Sequence, residues 1–470
     1  VAEPDLSVTL YTSMVAFEAG DTVNFTCAIQ HQTWSTSPAY QVRVVIPISS
    51  DMYLRGLETT ASTGTFVTGR AQGDTRIELV FTPLLTNAIV YISFRATGLV
   101  TVGPNQPIQT MATATFESIP LLDRKTAFGA SQYRTYSAQG NITNLADIYL
   151  LAPPPTLVAG SMSTSPYLTG YNVAVGETLT FLTSFYIPAG TTPSLTTTIQ
   201  LAKGALGVVQ VIDARVVSKG LINSTLLPVN ASATSMTDTD GDLFNDRILF
   251  DFGSAYNYPD HVIDSNDMVV MSVTVLIPNV TANKQDASLF STILMQSGTV
   301  QSSTNITFTL VEPKLTSSFV VLAPINARGN STTQFDFQFN VSHTAQSKAP
   351  AFKLELAFMK LLELYALQPV AGSMKSIIVG SGVETPIVPS TPTLTFVPVL
   401  QNGSILVVTF SASFVDAIRP MDVWNPRGVV TFTSSPVVIL GNSGRNDSTT
   451  ATTTVSSDMK FTNTFSLIGS

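Results

Sequence analysis

The sequence predicts an all-β chain built as three tandem β-sandwiches, and three observations lead there. Apolar and polar residues alternate at period two, as in Val23-Asn24-Phe25-Thr26-Cys27-Ala28-Ile29 and Phe335-Asp336-Phe337-Gln338-Phe339, the spacing that puts every second side chain on one strand face. Helical periodicity is nearly absent, while turn signals such as Gln401-Asn402-Gly403-Ser404 and Gly73-Asp74 separate runs rich in β-branched and aromatic residues. The third observation is a repeat: one order of segments occurs three times.

Each unit opens with a short strand after proline: EPDLSVTL (Glu3 to Leu10), PPTLVAG (Pro154 to Gly160) and EPKLTSSFVV (Glu312 to Val321). A polar strand follows, AGDTVNFTCAI (Ala19 to Ile29), VGETLTFLTSF (Val175 to Phe185) or NSTTQFDFQFNV (Asn330 to Val341). Later in each unit a turn leads into IELVF (Ile77 to Phe81), ILFDFG (Ile248 to Gly253) or ILVVTF (Ile405 to Phe410), expected to be equivalent strands. Units one and three also share ATFESIP (Ala114 to Pro120) and VTFTSSP (Val430 to Pro436). The one stretch with helical character, FMKLLELYAL from Phe358 to Leu367, follows strict alternation and is expected to be a strand end and a turn. The predicted units are 1–151, 152–311 and 312–470, each of ordinary single-domain size.

Composition excludes several function classes. Of 470 residues 44% are hydrophobic and only 11% charged, where soluble domains carry about 25% charged residues. Mean hydropathy is +0.29, yet no apolar run approaches the ~18 residues of a membrane-spanning helix; Phe319 to Ile325 is broken by Pro324. Serine and threonine number 110, so hydroxyls take over the polar surface. The net charge of −8 is spread singly, without the basic stripe that nucleic-acid binding needs. The single cysteine, Cys27, shares a strand face with Val23, Phe25 and Ile29 and reads as a small buried hydrophobe. The chain opens Val1-Ala2-Glu3-Pro4, which fits a mature product after signal-peptide removal.

Ten of 22 asparagines lie in N-x-S/T sequons: Asn24, Asn141, Asn223, Asn230, Asn279, Asn305, Asn330, Asn340, Asn402 and Asn446. Chance would give about five. Asn24 and Asn340 fall on strand faces opposite the apolar ones, where a glycan avoids the core. N-linked glycans are therefore expected, with O-linked glycans at threonine clusters such as Thr449 to Thr454, and with them an extracellular location, secreted or at the cell surface.

The opening PDLSV (Pro4 to Val8), the AGDTVNFT and VGETLTFL strands and, above all, TDTDGDLFNDRILFDFG (Thr237 to Gly253) resemble the conserved-repeat, immunoglobulin-like modules found in tandem in large extracellular surface proteins. The resemblance implies an immunoglobulin-like sandwich and a structural or adhesive role without catalysis. Unit length and sequon density set this chain apart from the bacterial pattern.

In that segment Asp238, Asp240, Asp242, Asn245 and Asp246 gather around Gly241, hard oxygen donors of the kind Ca²⁺ takes. An EF-hand alignment fails, because Met236 and Arg247 fall on the first and last ligand positions. A looser Ca²⁺ loop and a solvated acidic turn both fit, and the turn is preferred. An enzyme is not expected: His31, His261 and His343 are isolated, and no nucleophile-elbow, zinc-protease, dinucleotide or P-loop pattern occurs.

The unit boundaries suggest a polymer. The end Thr464-Phe465-Ser466-Leu467-Ile468 nearly copies Thr307-Phe308-Thr309-Leu310-Val311, and Val1-Ala2-Glu3-Pro4-Asp5-Leu6 matches Val311-Glu312-Pro313-Lys314-Leu315. Two copies placed head to tail would recreate the internal junction, with Glu3, Pro4 and Leu6 at one end and Phe461, Phe465 and Leu467 at the other. The expected function is a filament subunit assembled head to tail with itself; such heterologous contacts propagate. Duplicated repeats with similar ends are the simpler explanation of the match. The alternative function is a stalk or adhesin-type surface glycoprotein binding carbohydrate or protein, with Trp34 and Trp424 available to stack on sugars.

Overall fold

The computed structural model describes residues 2–61, 67–73, 75–120, 134–146, 153–158, 171–260, 262–323, 326–327, 334–359, 367–370, 372–379, 384–386, 393–395, 399–414, 423–436 and 438–457. Among them there is no α-helix; two 3₁₀ turns, Gly204–Leu206 and Ser265–Asp267, interrupt an otherwise β chain. Among the described residues no helix is long and apolar enough to cross a membrane. His261, Asn330, Phe461, Phe465, Leu467 and most of the Phe358 to Leu367 stretch lie outside the described residues; the described beginning of that stretch, Phe358 and Met359, closes the strand Ala351–Met359 as expected.

Three immunoglobulin-like sandwiches follow one another, each with its own core. In unit one, Leu6–Thr12, Thr22–His31, Ile89–Gly98 and Met52–Ala61 form a four-stranded sheet in that order. It faces a six-stranded sheet ordered Ala16–Phe17, Thr135–Ala146, Pro107–Glu117, Tyr40–Pro47, Arg76–Phe81 and Val67–Gly73. The first strand therefore splits: Leu6–Thr12 pairs antiparallel with Thr22–His31, then Ala16–Phe17 crosses to pair in parallel with the last strand. Units two and three repeat the split, with Asn172–Val173 parallel to Val300–Leu310 and Asn326–Ala327 parallel to Val455–Ser457.

The cores follow from the alternation. Val23, Phe25, Cys27 and Ile29 are all buried between the sheets of unit one, and burial pushes the Cys27 thiol up to about 12, leaving it inert. Phe181, Phe250, Phe252 and Phe308 fill unit two. Unit three is built on Phe335, Phe337 and Phe339 with Phe319, Phe358 and Phe410, and Phe337 stacks on Phe410 at 5.0 Å.

One expected equivalence fails. Arg76–Phe81 and Arg247–Asn257 each pair with the strand that follows Thr22–His31 or Thr178–Tyr186 in their unit, namely Tyr40–Pro47 and Gly190–Gln200. Ile405–Phe414 instead pairs with Gln334–His343 in the opposite sheet, the place held by Ile89–Gly98 and Met268–Leu276 in the other units. The strands of unit three that match Ile77 to Phe81 are the short Thr393–Thr395 and Val399–Leu400, both paired with Ala351–Met359. Short apolar strands look alike in sequence, and only sheet membership separates them.

Candidate functional site

The end of each sandwich that receives the next one is built by a recurrent turn. In AGDT and VGET the glycine adopts a left-handed conformation, φ +90° at Gly20 and +85° at Gly176, and the acid after it closes the loop. Asp21 Oδ2 accepts the Glu18 N–H at 3.1 Å, and Glu177 Oε2 accepts the Ala174 N–H at 2.8 Å. The shared motif is thus a turn device that presents backbone at the pole of a sandwich.

Both internal junctions use it. Between units one and two, the Ala19 N–H donates to Ala189 O at 3.3 Å and the Thr191 N–H to Val102 O at 3.1 Å. The Ala189 N–H reaches Glu18 Oε2 at 2.9 Å, and the Thr191 hydroxyl donates to Val100 O at 2.8 Å. The backbones approach so closely that a Cβ on Gly190 would sit 2.3 Å from Val102 O.

Between units two and three the contact is richer. Ser434 Oγ donates to Val175 O at 2.9 Å, and Ser435 Oγ to Gly176 O at 3.2 Å. Arg445 Nη2 donates to Val280 O at 3.2 Å and to Asn283 O at 2.6 Å. That loop is held open for the guanidinium by the fully buried Asn283 side chain, which bonds both backbone groups of Val208 and the carbonyl of Pro278. Gln285 Nε2 donates to Gln346 O, and Lys348 pairs with Asp286 at 2.7 Å. Ala174, Val311 and Ala349 form a small dry cluster across the boundary. Glu312 is buried there beside Arg445, 3.4 Å away. Desolvation raises its carboxyl to about 7 against the pull of Arg445, and Oε1 has no hydrogen-bond partner.

His31 and His343 hold equivalent places at the opposite pole. His31 Nδ1 lies 2.7 Å from Ser35 Oγ and Nε2 3.0 Å from Leu84 O; His343 repeats this with Ser347 at 2.6 Å and Leu400 O at 3.0 Å. A carbonyl only accepts, so the proton is assigned to Nε2 and Nδ1 accepts from the serine. Each serine oxygen also accepts a backbone N–H, from Asp5 and Lys314 respectively, both at 2.9 Å. Burial lowers both imidazoles below the ordinary histidine range. The same pair in two units, tied to backbone on both sides, pins the opening strand to the loop after the second strand. Its sequence signal is H-x3-S-x2-P-A-aromatic, His31 to Tyr40 and His343 to Phe352. Reading each histidine in isolation misses that pattern.

Of the five acidic-turn residues the fold brings three together: Asp238, Asp240 and Asp246 offer oxygens within 4.8 Å of one another. Their oxygens already have work. Asp238 accepts the N–H groups of Asp240, Gly241 and Leu243 at 3.1, 2.7 and 2.9 Å, and the Gly241 and Leu243 bonds hold it below the usual carboxylate range. Asp246, 1% exposed, accepts the Thr239 N–H and hydroxyl and lies 3.5 Å from Lys203 Nζ. Asp240 is raised by desolvation and by the charges of Asp242 and Asp246. Asp242 instead caps the Phe244 N–H, and Asn245 contributes its carbonyl to Val211 N–H. A donor set so engaged, with an ammonium in it, fits the self-closed acidic turn better than a cation cage.

Nine sequon asparagines are described; Asn340 is half-buried and the other eight are exposed. The fully buried asparagines, Asn144, Asn257 and Asn283, lie outside sequons. Asn141 and Asn305 sit on the last described strands of units one and two, and Asn446 begins the strand Asn446–Thr452 of unit three, which Val455–Ser457 follows. Of the sequence-predicted assembly residues, Pro4 and Leu6 are buried in unit one. Leu6 is paired opposite His31 in unit one's own sheet, so of the three described assembly residues Glu3 alone is partly exposed, ion-paired with Arg134.

No family model matches the chain. No curated protein sequence matches it either. Among solved structures it is similar to the 35 kDa C-terminal fragment of the major pilin GBS80 of Streptococcus agalactiae, at 7% identity over 65% of this chain and 91% of that one, with a TM-score of 0.25. It is also similar to a putative membrane anchored protein from Corynebacterium diphtheriae, at 9% identity over 96% of both chains and a TM-score of 0.21. The B domain of a biofilm associated protein gives 9% identity over 65% of this chain and 86% of that one, with a TM-score of 0.21. Scores and identities this low place the chain in no family; the immunoglobulin-like assignment stands on its own sheet order.

Proposed function

We propose that the chain is an extracellular structural protein, the subunit of a glycosylated filament in which copies join head to tail. Its modules are 1–151, 152–311 and 312–470. The observation that carries this reading is the junction between units two and three, a pole-to-pole contact of turns, serine hydroxyls and one arginine. Such a contact can be repeated between copies because most of what it recognises is backbone, which any sandwich of this fold presents. The matching sequences at the two ends of the chain, Thr464 to Ile468 and Val1 to Leu6, support the same arrangement. Terminal strand residues 462–470 then complete or cover a sheet edge in the next copy, the mode by which strand addition satisfies exposed main-chain groups.

N-linked glycans on the exposed sequon asparagines replace charge as the source of solubility in a chain with 11% charged residues, and O-linked glycans add to them at threonine clusters. The acidic turn of unit two acts structurally, closed by its own N–H groups and Lys203 without need of Ca²⁺. Negative-stain images of purified, glycosylated protein test the reading. Regular fibres are expected; isolated rods of three beads at every concentration would instead support a stalk.

A further inference from the structure

Unit one carries, at the pole away from unit two, the same side chains that unit three uses to grip unit two. Ser118 corresponds to Ser434 and Arg134 to Arg445: each arginine N–H donates to its serine oxygen, at 3.2 and 2.8 Å, and each serine N–H donates back to the arginine carbonyl. Glu3 corresponds to Glu312, one residue before proline in EPDL and EPKL, and each pairs with its arginine. Trp34 corresponds to Gln346, three residues after the equivalent histidines. In unit three these groups are covered; the Glu312 side chain is 9% exposed and that of Arg445 32%. In unit one the Glu3 side chain is 31% exposed, Arg134 70% and Trp34 67%. The Ser118 hydroxyl has no acceptor among the described residues, whereas Ser434 spends its hydrogen on Val175 O. Unit two lacks the set, having Pro154-Pro155 where the others have Glu-Pro.

We propose that this pole of unit one is a socket for the far end of a second copy of the chain, gripped by Arg134 and Ser118 through backbone carbonyls and closed by Trp34. The inference rests on the head-to-tail reading and names the surface that performs it. The occupant follows from the internal junction: there the same donors take the carbonyls of Val175, Val280 and Asn283, so the groups recognised are peptide oxygens in the turns of a like sandwich. An exposed indole, whose N–H is held by Asp5 Oδ2 at 2.6 Å, and an exposed guanidinium paired with Glu3 give this pole the residue types of an interface anchor.

The test uses the full glycosylated chain carrying Trp424→Phe, which leaves Trp34 as the sole indole. On assembly its emission should shift to the blue and its quenching by acrylamide should fall several-fold relative to dilute protein. Arg134→Glu, on a side chain 70% exposed and ion-paired with Glu3, should raise the concentration at which fibres appear by about tenfold or more, the loss expected for charged hydrogen bonds; unchanged circular dichroism and an unchanged unfolding midpoint of the dilute protein show that it has folded. Fibres in which Trp34 stays as quenchable as in dilute protein, or an Arg134→Glu variant that assembles like the parent, would overturn the socket and leave the filament. Absence of fibres at any concentration would overturn the filament reading and the socket with it.

Discussion

Glu312→Gln should remove a specific pH dependence from the third sandwich. Glu312 is 7% exposed, with one oxygen unbonded and Arg445 3.4 Å away, and burial raises its carboxyl to about 7 from 4.5 against the pull of Arg445 and Lys314. A native value above the unfolded one means that the folded chain binds the extra proton between those two values. Stability is therefore fully present below about pH 4.5 and is lost as pH rises through about 7. Integrating the linkage between pH 5 and pH 8 gives a loss of ~2.5 kcal/mol in the parent from this group. The amide cannot ionise, so Glu312→Gln should lack that component. Urea unfolding at the two pH values, followed by Trp424 emission in a Trp34→Phe background, measures the double difference. A parent and variant that change in parallel would refute the claim that Glu312 is desolvated at the junction.

Further outcomes follow from individual contacts. His31→Gln should make unit one less sensitive to acid, because the native imidazole sits below its unfolded value, so its contribution is fully present above about pH 6.5 and is lost as pH falls from there through the lowered native value; far-ultraviolet circular dichroism against pH checks it. Gly190→Val places a Cβ 2.3 Å from Val102 O at φ +118°. It should cost about 1–3 kcal/mol and open the first junction to limited proteolysis, while an unchanged cleavage pattern would speak against close backbone contact there. Asp246→Ala strands the Thr239 donors and Lys203, with an expected loss of about 1–3 kcal/mol, and adding Ca²⁺ or EDTA to the parent should leave Tm unchanged. Deleting 462–470 should abolish fibres while each sandwich stays folded; normal fibres would dismiss the terminal strand.

The strands were legible because burial imposes period two: Val23, Phe25, Cys27 and Ile29 could be assigned inward from sequence, and all are buried. Equivalence between strands was less so. Ile405 to Phe410 and Ile77 to Phe81 have the same apolar character, yet occupy opposite sheets, because pairing partners far along the chain decide membership. The acidic turn was visible as a cluster, but hydrogen bonding to the turn's own N–H groups sends Asp242 away from the other three. The junctions were the least visible. Carbonyls, glycines and small residues such as Ala174 and Ala349 build them, and none of these has a distinctive composition. The histidine–serine pairs share the spacing H-x3-S-x2-P-A-aromatic, whereas the serine–arginine pairs do not share one: Ser118 and Arg134 are 16 residues apart, Ser434 and Arg445 only 11.

The most direct measurement is a fibre reconstruction at side-chain resolution. A single file of copies is expected, three sandwiches per repeat, in which the contact between copies reproduces that between units two and three, with Arg134 within hydrogen-bond reach of the neighbour's turn carbonyls. Fibres built by side-to-side pairing of sandwiches, with the pole of unit one left in solvent, would contradict it.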